Sequence, residues 1–192
     1  MRKLVMWNLI TLDGYFEGPK PWDLDWHEYA WGPELEQFAT ERQATDIGAL
    51  VFGRATYQGM ADYWTTEKEK GIIADFMNAV PKFVFSRTLT SAPWNNTRLV
   101  TGPPEAEVER LKREPGKDLY IFGSAGLSDT LGKAGLIDEY QLCLTPVVLG
   151  GGNPLFKPNP ARMRMTLLES KPLKTGGVIL RYEPVHADVV AR

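Results

Sequence analysis

The chain has 192 residues, 43% of them hydrophobic, which suits one globular domain spanning residues 1–192 and needing no metal or disulfide to fold. Its formal charge is -2, from 22 basic and 24 acidic side chains with no long block of either sign, which excludes the basic footprint of a nucleic-acid binder. No run reaches the length of about 18 apolar residues that a membrane span needs. The N-terminal "MRKLVMWNLI" is too short in its apolar part for a signal peptide. The single Cys143, among apolar neighbours in "YQLCLTP", reads as a packed, reduced thiol, so the cytoplasm is the expected location.

In chain order, residues 3–12 are rich in Val, Trp, Ile and Leu and end at "DGYFEG", the pattern of an opening strand and a loop. The segment "PKPWDLDWHEYAWGP" (19–33) carries prolines and acids among Trp22, Trp26, Tyr29 and Trp31, and reads as a structured loop. It could cover a ligand or pack its rings over the domain edge. Spaced apolar groups at Leu35, Phe38 and Ala39 predict an amphipathic helix over 34–46. "IGALVFG" then reads as a buried strand running into a helix start, and "PKFVFS" and "TRLV" as two more strands. A helix over 103–113, the strand "DLYIFG", the helix "SAGLSDTLGKAG" and the strand "DEYQLCLTPVVL" follow, the last ending in Gly150, Gly151 and Gly152. "RMTLLESKPL" and "GVILRYEPV" pair across "KTGG" as a hairpin. Strands alternating with helices predict an α/β sheet with an antiparallel edge at its C-terminal hairpin.

Three strand exits carry groups suited to anions. In "LVFGRAT", Gly53 permits a tight exit, Arg54 offers a fork of donors and Thr56 a hydroxyl beside the first amides of a helix. In "FVFSRT", Ser86, Arg87 and Thr88 place two hydroxyls and a guanidinium beyond a strand end, where they could grip a phosphate monoester. In "IFGSAG", Gly123 and Gly126 let the backbone approach a ligand, while Ser124 could cap the helix or bind phosphate. Ligands of open α/β sheets bind beyond the carboxyl ends of strands, so together the three exits describe a site for a multiply phosphorylated cofactor. The dinucleotide and P-loop fingerprints are both absent.

These residues carry a resemblance. "TLDGYF" (11–16), "DIGALVFGRATYQGM" (46–60), "KFVFSRT" (82–88), "LYIFGSAGLSDTL" (119–131) and "LIDEYQLCLTPVVLGGGNPLF" (136–156) resemble bacterial proteins related to dihydrofolate reductase and to the carboxy-terminal reductase domain of the riboflavin-pathway enzyme RibD. The similarity runs from about residue 3 to residue 183. It implies a dihydrofolate reductase-like, three-layer α/β/α fold with a central, mostly parallel sheet of about eight strands and a C-terminal antiparallel hairpin. It further implies an NADPH-dependent oxidoreductase that acts on a small heterocycle as a homodimer. By similarity, Gly53, Arg54 and Thr56 meet the cofactor phosphates, and Ser86 with Arg87 meets the adenosine 2′-phosphate. Gly123, Ser124, Ala125, Gly126 and Leu127 lie against the pyrophosphate and the nicotinamide-side ribose.

The substrate side offers Asp13 as the candidate catalytic group, a carboxylate that could orient a heterocycle nitrogen or cap the turn before Gly14. Dihydrofolate reductases place a buried carboxylate on the helix before the "FGR" strand. Here Gln37 occupies the closest spacing, and Glu34, Glu36 and Glu41 offer no unambiguous match. Asp138 and Glu139 read as a solvated strand start, His27 as a surface residue with a possible proton-shuttling role, and His186 as part of a frayed tail. Two functions fit: an NADPH-dependent reductase of a pteridine- or pyrimidine-like ring, including 5-amino-6-(5-phosphoribosylamino)uracil, or a non-catalytic nucleotide-binding dimer. No metal site and no membrane partner is expected.

Overall fold

The apolar run "LVMWNLIT" forms β1 (Leu4–Thr11), which lies at the centre of an eight-stranded sheet. It pairs in parallel with β6 (Asp118–Phe122) on one side and β7 (Glu139–Thr145) on the other. The computed structural model describes residues 1–66, 71–159 and 162–185, so His186 lies outside the described residues. Beyond β6 come β3 (Ile47–Gly53), β4 (Lys82–Phe85) and β5 (Thr97–Val100), all parallel. Beyond β7 lie β10 (Val178–Pro184), antiparallel to its neighbours, and the edge strand β9 (Met165–Pro172). The order is thus β5-β4-β3-β6-β1-β7-β10-β9, parallel except for β10. A separate two-stranded pair joins β2 (Tyr15–Glu17) to β8 (Asn153–Pro154).

Both faces of the sheet are covered, which is why its central strands are nearly continuous in apolar residues. On one face Leu4, Met6, Ile10, Ala49, Val51 and Ile121 pack against α4 (Pro104–Arg113) and α5 (Ala125–Lys133) through Val108, Leu111 and Leu131. On the other face Val5, Leu50, Phe52 and Tyr120 meet α2 (Arg54–Trp64) and α3 (Ile72–Ala79) through Tyr57 and Met77. Further along that face, Leu35 and Phe38 of α1 (Pro33–Thr45) cover Cys143 and Ile179. Burial pushes the Cys143 thiol up to about 12, which leaves it protonated and unreactive.

Two buried charges fix strand ends. The Lys82 ammonium, 1% exposed, donates to the carbonyls of Val80 (2.8 Å) and Asn95 (3.0 Å) and lies 4.4 Å from the centre of the Trp94 ring, closing the C-terminal end of α3. At the start of β7 the structure corrects the expectation of a solvated pair. Asp138 accepts the Leu4 amide (2.7 Å) and pairs with Lys112 (2.6 Å), pinning β7 to β1. Glu139 is 3% exposed and bonded to Arg181 of β10 (2.7 Å). A lone acid pair before a strand carries no sequence mark of a partner some 40 residues later.

Candidate functional site

The carboxyl ends of β3 and β6 stand side by side and are tied together. The Gly53 amide donates to Ser124 Oγ (2.9 Å), the Ser124 amide to Thr56 Oγ1 (3.0 Å) and the Gly123 amide to Asn8 Oδ1 of β1 (2.8 Å). Gly123 (φ 62°) and Ser124 (φ 57°) are both left-handed, which turns the chain from β6 into α5. A Cβ at Gly123 would stand 3.0 Å from Thr56 Cγ2, so glycine serves both the conformation and the fit.

From these corners α2 and α5 run away with their N-termini open. Neither has a side-chain cap and neither has an acidic residue in its first turn. Helices α1, α3 and α4 do carry acids there: Glu34 and Glu36 in α1, Asp75 in α3, Glu105 and Glu107 in α4. The positive ends of the two helices at the corners are therefore left uncompensated, with unbonded first-turn amides and the exposed Arg54 beside them.

Both N-termini open onto a cavity of about 610 Å³. It extends from the corners across the sheet face, between α1 on one side and Met60, Trp64, Ile73 and Met77 of α2 and α3 on the other. The aromatic loop spans its mouth. The amide of Trp22, whose own φ is 61°, donates to Glu17 Oε1 (2.7 Å), and its indole lies on Gly59 of α2 so closely that a Cβ there would fall 1.6 Å from Cε2. Trp22, His27 and Trp31 line the cavity, Trp26 is 2% exposed, and Tyr29 points outward.

The far end of the cavity is polar at its floor. Trp7 packs on Phe38 in a tilted arrangement, ring centres 5.3 Å apart, and Tyr120, Gln141, Arg42 and Gln43 also line the wall. Four buried polar atoms of cavity-lining residues lack a protein partner: Asn8 Nδ2, His27 Nε2, Gln43 Oε1 and Gln141 Oε1. Buried polar groups are nearly always paired, so orphans gathered at one cavity mark ligand or water contacts. Burial holds the His27 imidazole down to about 4, so it is neutral at physiological pH. Burial also raises the Tyr120 hydroxyl, which keeps its proton. For Glu139 burial alone would raise the carboxyl, but the hydrogen bonds from Arg181 and Gln141 outweigh it and the net direction is downward.

The residues expected from sequence fall into three groups. Gly53, Arg54, Thr56, Gly123, Ser124, Ala125, Gly126 and Leu127 line the cavity. Ser86, Arg87 and Thr88 stand beyond the end of β4, outside that lining; Ser86 Oγ accepts the amides of Thr88 (3.1 Å) and Leu89 (3.0 Å), and Arg87 is exposed, with no carboxylate partner among the described residues. Asp13 is elsewhere. Its carboxylate accepts Thr11 Oγ1 (2.6 Å) and the amides of Gly150 (2.8 Å) and Leu149 (3.3 Å), bonds that lower its pKa. Of the acids considered on α1, none lines the cavity, and Gln37 is exposed and bonded to Glu41. The helix turns Phe38, Ala39, Arg42 and Gln43 to the site instead. Asn8, Gln43, Tyr120 and Gln141 escaped the sequence reading, although a polar Asn8 and Gln141 inside otherwise apolar central strands were a usable signal. Among the described residues no cluster of His, Cys, Asp or Glu could hold a metal, and no helix is long and apolar enough to cross a membrane.

Comparison with known proteins agrees with this architecture. The chain is 30% identical over 187 residues to the uncharacterised protein YyaP of Bacillus subtilis, covering 94% of each. Among solved structures it is similar to a protein provisionally assigned to riboflavin biosynthesis in Shewanella sp. PV-4, with TM-score 0.76, 23% identity, and 96% of this chain and 99% of that one covered. It is also similar to the dihydrofolate reductase of Enterococcus faecalis complexed with NADP(H), with TM-score 0.63, 14% identity, and 96% and 97% covered, so the fold is dihydrofolate reductase-like. The sequence pattern of the RibD C-terminal domain matches residues 2–179, and the chain belongs to that family.

Proposed function

We propose that this chain is a single-domain, cytoplasmic, NADPH-dependent reductase of a small pteridine- or pyrimidine-like heterocycle, acting as a homodimer. The observation that carries the reading is the pair of uncapped, acid-free helix N-termini, α2 and α5, opening onto one cavity. A pyrophosphate fits this pair: Gly126 has open space where a Cβ would stand, and Arg54 lies exposed at the first position of α2. Gly53, Arg54 and Thr56, with Gly123 to Leu127, would hold the dinucleotide. Arg87, with Ser86 and Thr88, would meet a 2′-phosphate on its adenosine end. When bound, the dinucleotide supplies the hydride.

The chain's own part is to position the ring and exclude water, with Trp22 and Trp31 closing the mouth and Trp7 and Phe38 forming an aromatic wall. Asp13 enters this reading as the clamp between β1 and the Gly150 loop, since its oxygens are engaged there. With Asp13 turned away, a non-catalytic nucleotide-binding protein is the competing reading, and oxidation of bound NADPH by added heterocycles separates the two. The exposed Leu167 and Leu168 on edge strand β9 are apolar surface of the kind a second copy covers.

The test is an NADPH and NADH titration followed by tryptophan quenching, on wild type and Arg87→Ala. Wild type should prefer NADPH, and Arg87→Ala should lose roughly tenfold or more of NADPH affinity while NADH changes little, as expected for loss of a charge-assisted phosphate contact. Equal weakening of both makes Arg87 structural, and no binding of either defeats the reductase reading.

A further inference from the structure

The polar end of the cavity carries information about what it recognises. Side-chain amides are usually ambiguous in orientation, but two here are fixed by their neighbours. Gln141 Nε2 donates to Glu139 Oε1 (2.9 Å), so the atom left over is Oε1, a buried hydrogen-bond acceptor without a partner on a cavity-lining residue 2% exposed. Asn8 Oδ1 accepts the Gly123 amide, so its unpartnered atom, Nδ2, is a donor beside the helix corner. Gln43, 9% exposed, has no bond that fixes its amide, so it can turn either atom to a ligand.

Parallel register places Tyr120, Val5 and Glu139 at one level of β6, β1 and β7, with Phe122, Trp7 and Gln141 at the next level of the same face. Tyr120 and Gln141 therefore face one space across the small Val5. The Tyr120 hydroxyl and the Gln141 amide are also hydrogen-bonded to each other. Since Nε2 is the donating atom of that amide, the phenol O–H and the Gln141 carbonyl remain as one donor and one acceptor.

The charges near this end are already matched. Glu139 is held by Arg181 (2.7 Å) and Lys3 (3.5 Å), and Arg42 by Asp46 (2.5 Å). Glu17 and Lys157, which also line the cavity, are engaged by the Trp22 amide and by Asn153. Among the described residues at the polar end, a cationic ring would find no unpaired carboxylate and an anionic one no unpaired cation. Resting on the proposed reductase reading, we infer that Gln141 is the specificity-determining residue of the cavity: its Oε1 accepts the ring N–H of an uncharged cyclic amide whose carbonyl takes the Tyr120 hydroxyl. Glu139 and Arg181 are positioning residues. Arg181 holds Glu139, and Glu139 holds the Gln141 amide by its nitrogen, which leaves its oxygen for the ligand.

The experiment uses 6,7-dimethylpterin, its 3-methyl derivative and 2,4-diamino-6,7-dimethylpteridine as probes, titrated against the full chain by tryptophan quenching, with uracil as a second cyclic amide. The pterin should bind at least tenfold more tightly than the 3-methyl compound, which lacks the ring N–H, and than the diamino compound, which lacks the carbonyl and protonates more readily. Gln141→Met should abolish that discrimination while NADPH affinity stays within twofold, and Arg181→Met should weaken it in part. Equal binding of parent and 3-methyl pterin by wild type overturns the inference without any variant, as does discrimination that persists in Gln141→Met. Failure of both pterin and uracil to bind overturns it too, and retained NADPH binding then leaves the cofactor end of the reading untouched. The opposite result, Gln141-dependent pterin binding without NADPH binding, defeats the reductase reading and keeps the amide code.

Discussion

The two ends of the cavity are built from different materials. At the β3 and β6 corners the working groups are backbone: first-turn amides of α2 and α5, a left-handed Gly123, and glycine surfaces a ligand can approach. At the opposite end they are side chains, Tyr120, Gln141 and Gln43, brought together from two strands and a helix. The first end reads charge through backbone amides that the Ser124, Thr56 and Asn8 side chains hold in place. The second reads the hydrogen-bond pattern of a ring and fails if one amide rotates.

The most damaging way to break this comparison is at Arg181, because its change attacks the side-chain end and the core together. Arg181→Met leaves Glu139, 3% exposed, with only the exposed Lys3 ammonium at 3.5 Å and the Gln141 amide to offset its charge, and breaking a buried pair in this way costs about 3 kcal/mol. Denaturant unfolding at neutral pH should show that loss, with NADPH affinity retained by the molecules that remain folded. The pH dependence has a definite sign. In wild type the Glu139 pKa is lowered on folding, so its contribution is present above the unfolded value of about 4.3 and is lost as pH falls through the folded value. Without Arg181 the carboxyl is raised instead, so acid relieves the variant, and the stability gap should be widest at neutral pH and narrow on acidification. A gap independent of pH would show that packing by the Arg181 stem, not its charge, is what matters.

The matching attack on the backbone end is Gly123→Ala. The residue must sit at φ 62° with its new methyl 3.0 Å from Thr56 Cγ2, and left-handed backbone costs about 1–2 kcal/mol outside glycine. The strain can be relieved by loosening the Ser124 amide from Thr56 Oγ1, which misdirects the start of α5. NADPH affinity should fall roughly tenfold while pterin binding changes little. Pterin binding that falls equally would mean the two ends do not act separately.

The difference in materials also explains what was legible in the sequence. The strands could be read because burial on both faces forces long apolar runs such as "LVMWNLIT" and "EYQLCLT". The corners could be read because left-handed turns and close approach demand glycine at particular places. The side-chain end could not. Which residues of α1 face the sheet depends on how the helix is seated, so spacing alone points to Gln37 where Gln43 lines the site. Glu139 reads as solvated in the sequence because its partner Arg181 is supplied by a strand near the end of the chain. Asp13 sits beside a glycine turn in sequence, and only the folded Gly150 loop reveals what its carboxylate holds. Helix α3 and the small β2–β8 pair went unread, being short and lacking turn marks strong enough to announce them.

Gly59→Ala tests the roof that the two ends share, and its effect on stability should be the smallest. In an ordinary helix interior this change stabilises by up to about 1 kcal/mol, because alanine loses less backbone freedom on folding. Here the new methyl takes the place of the Trp22 indole, 1.6 Å from Cε2, so the ring must leave. Trp22 is 40% exposed, and its departure uncovers little of the core. The melting temperature should therefore stay level or rise slightly, while NADPH and pterin affinities both fall several-fold because the strap no longer rests across the mouth. Trp22→Ala supplies the control: it should lower both affinities to a similar extent without the helix gain. If Gly59→Ala instead lowers affinity at one end alone, Trp22 belongs to that end's binding surface and does not serve as a common cover.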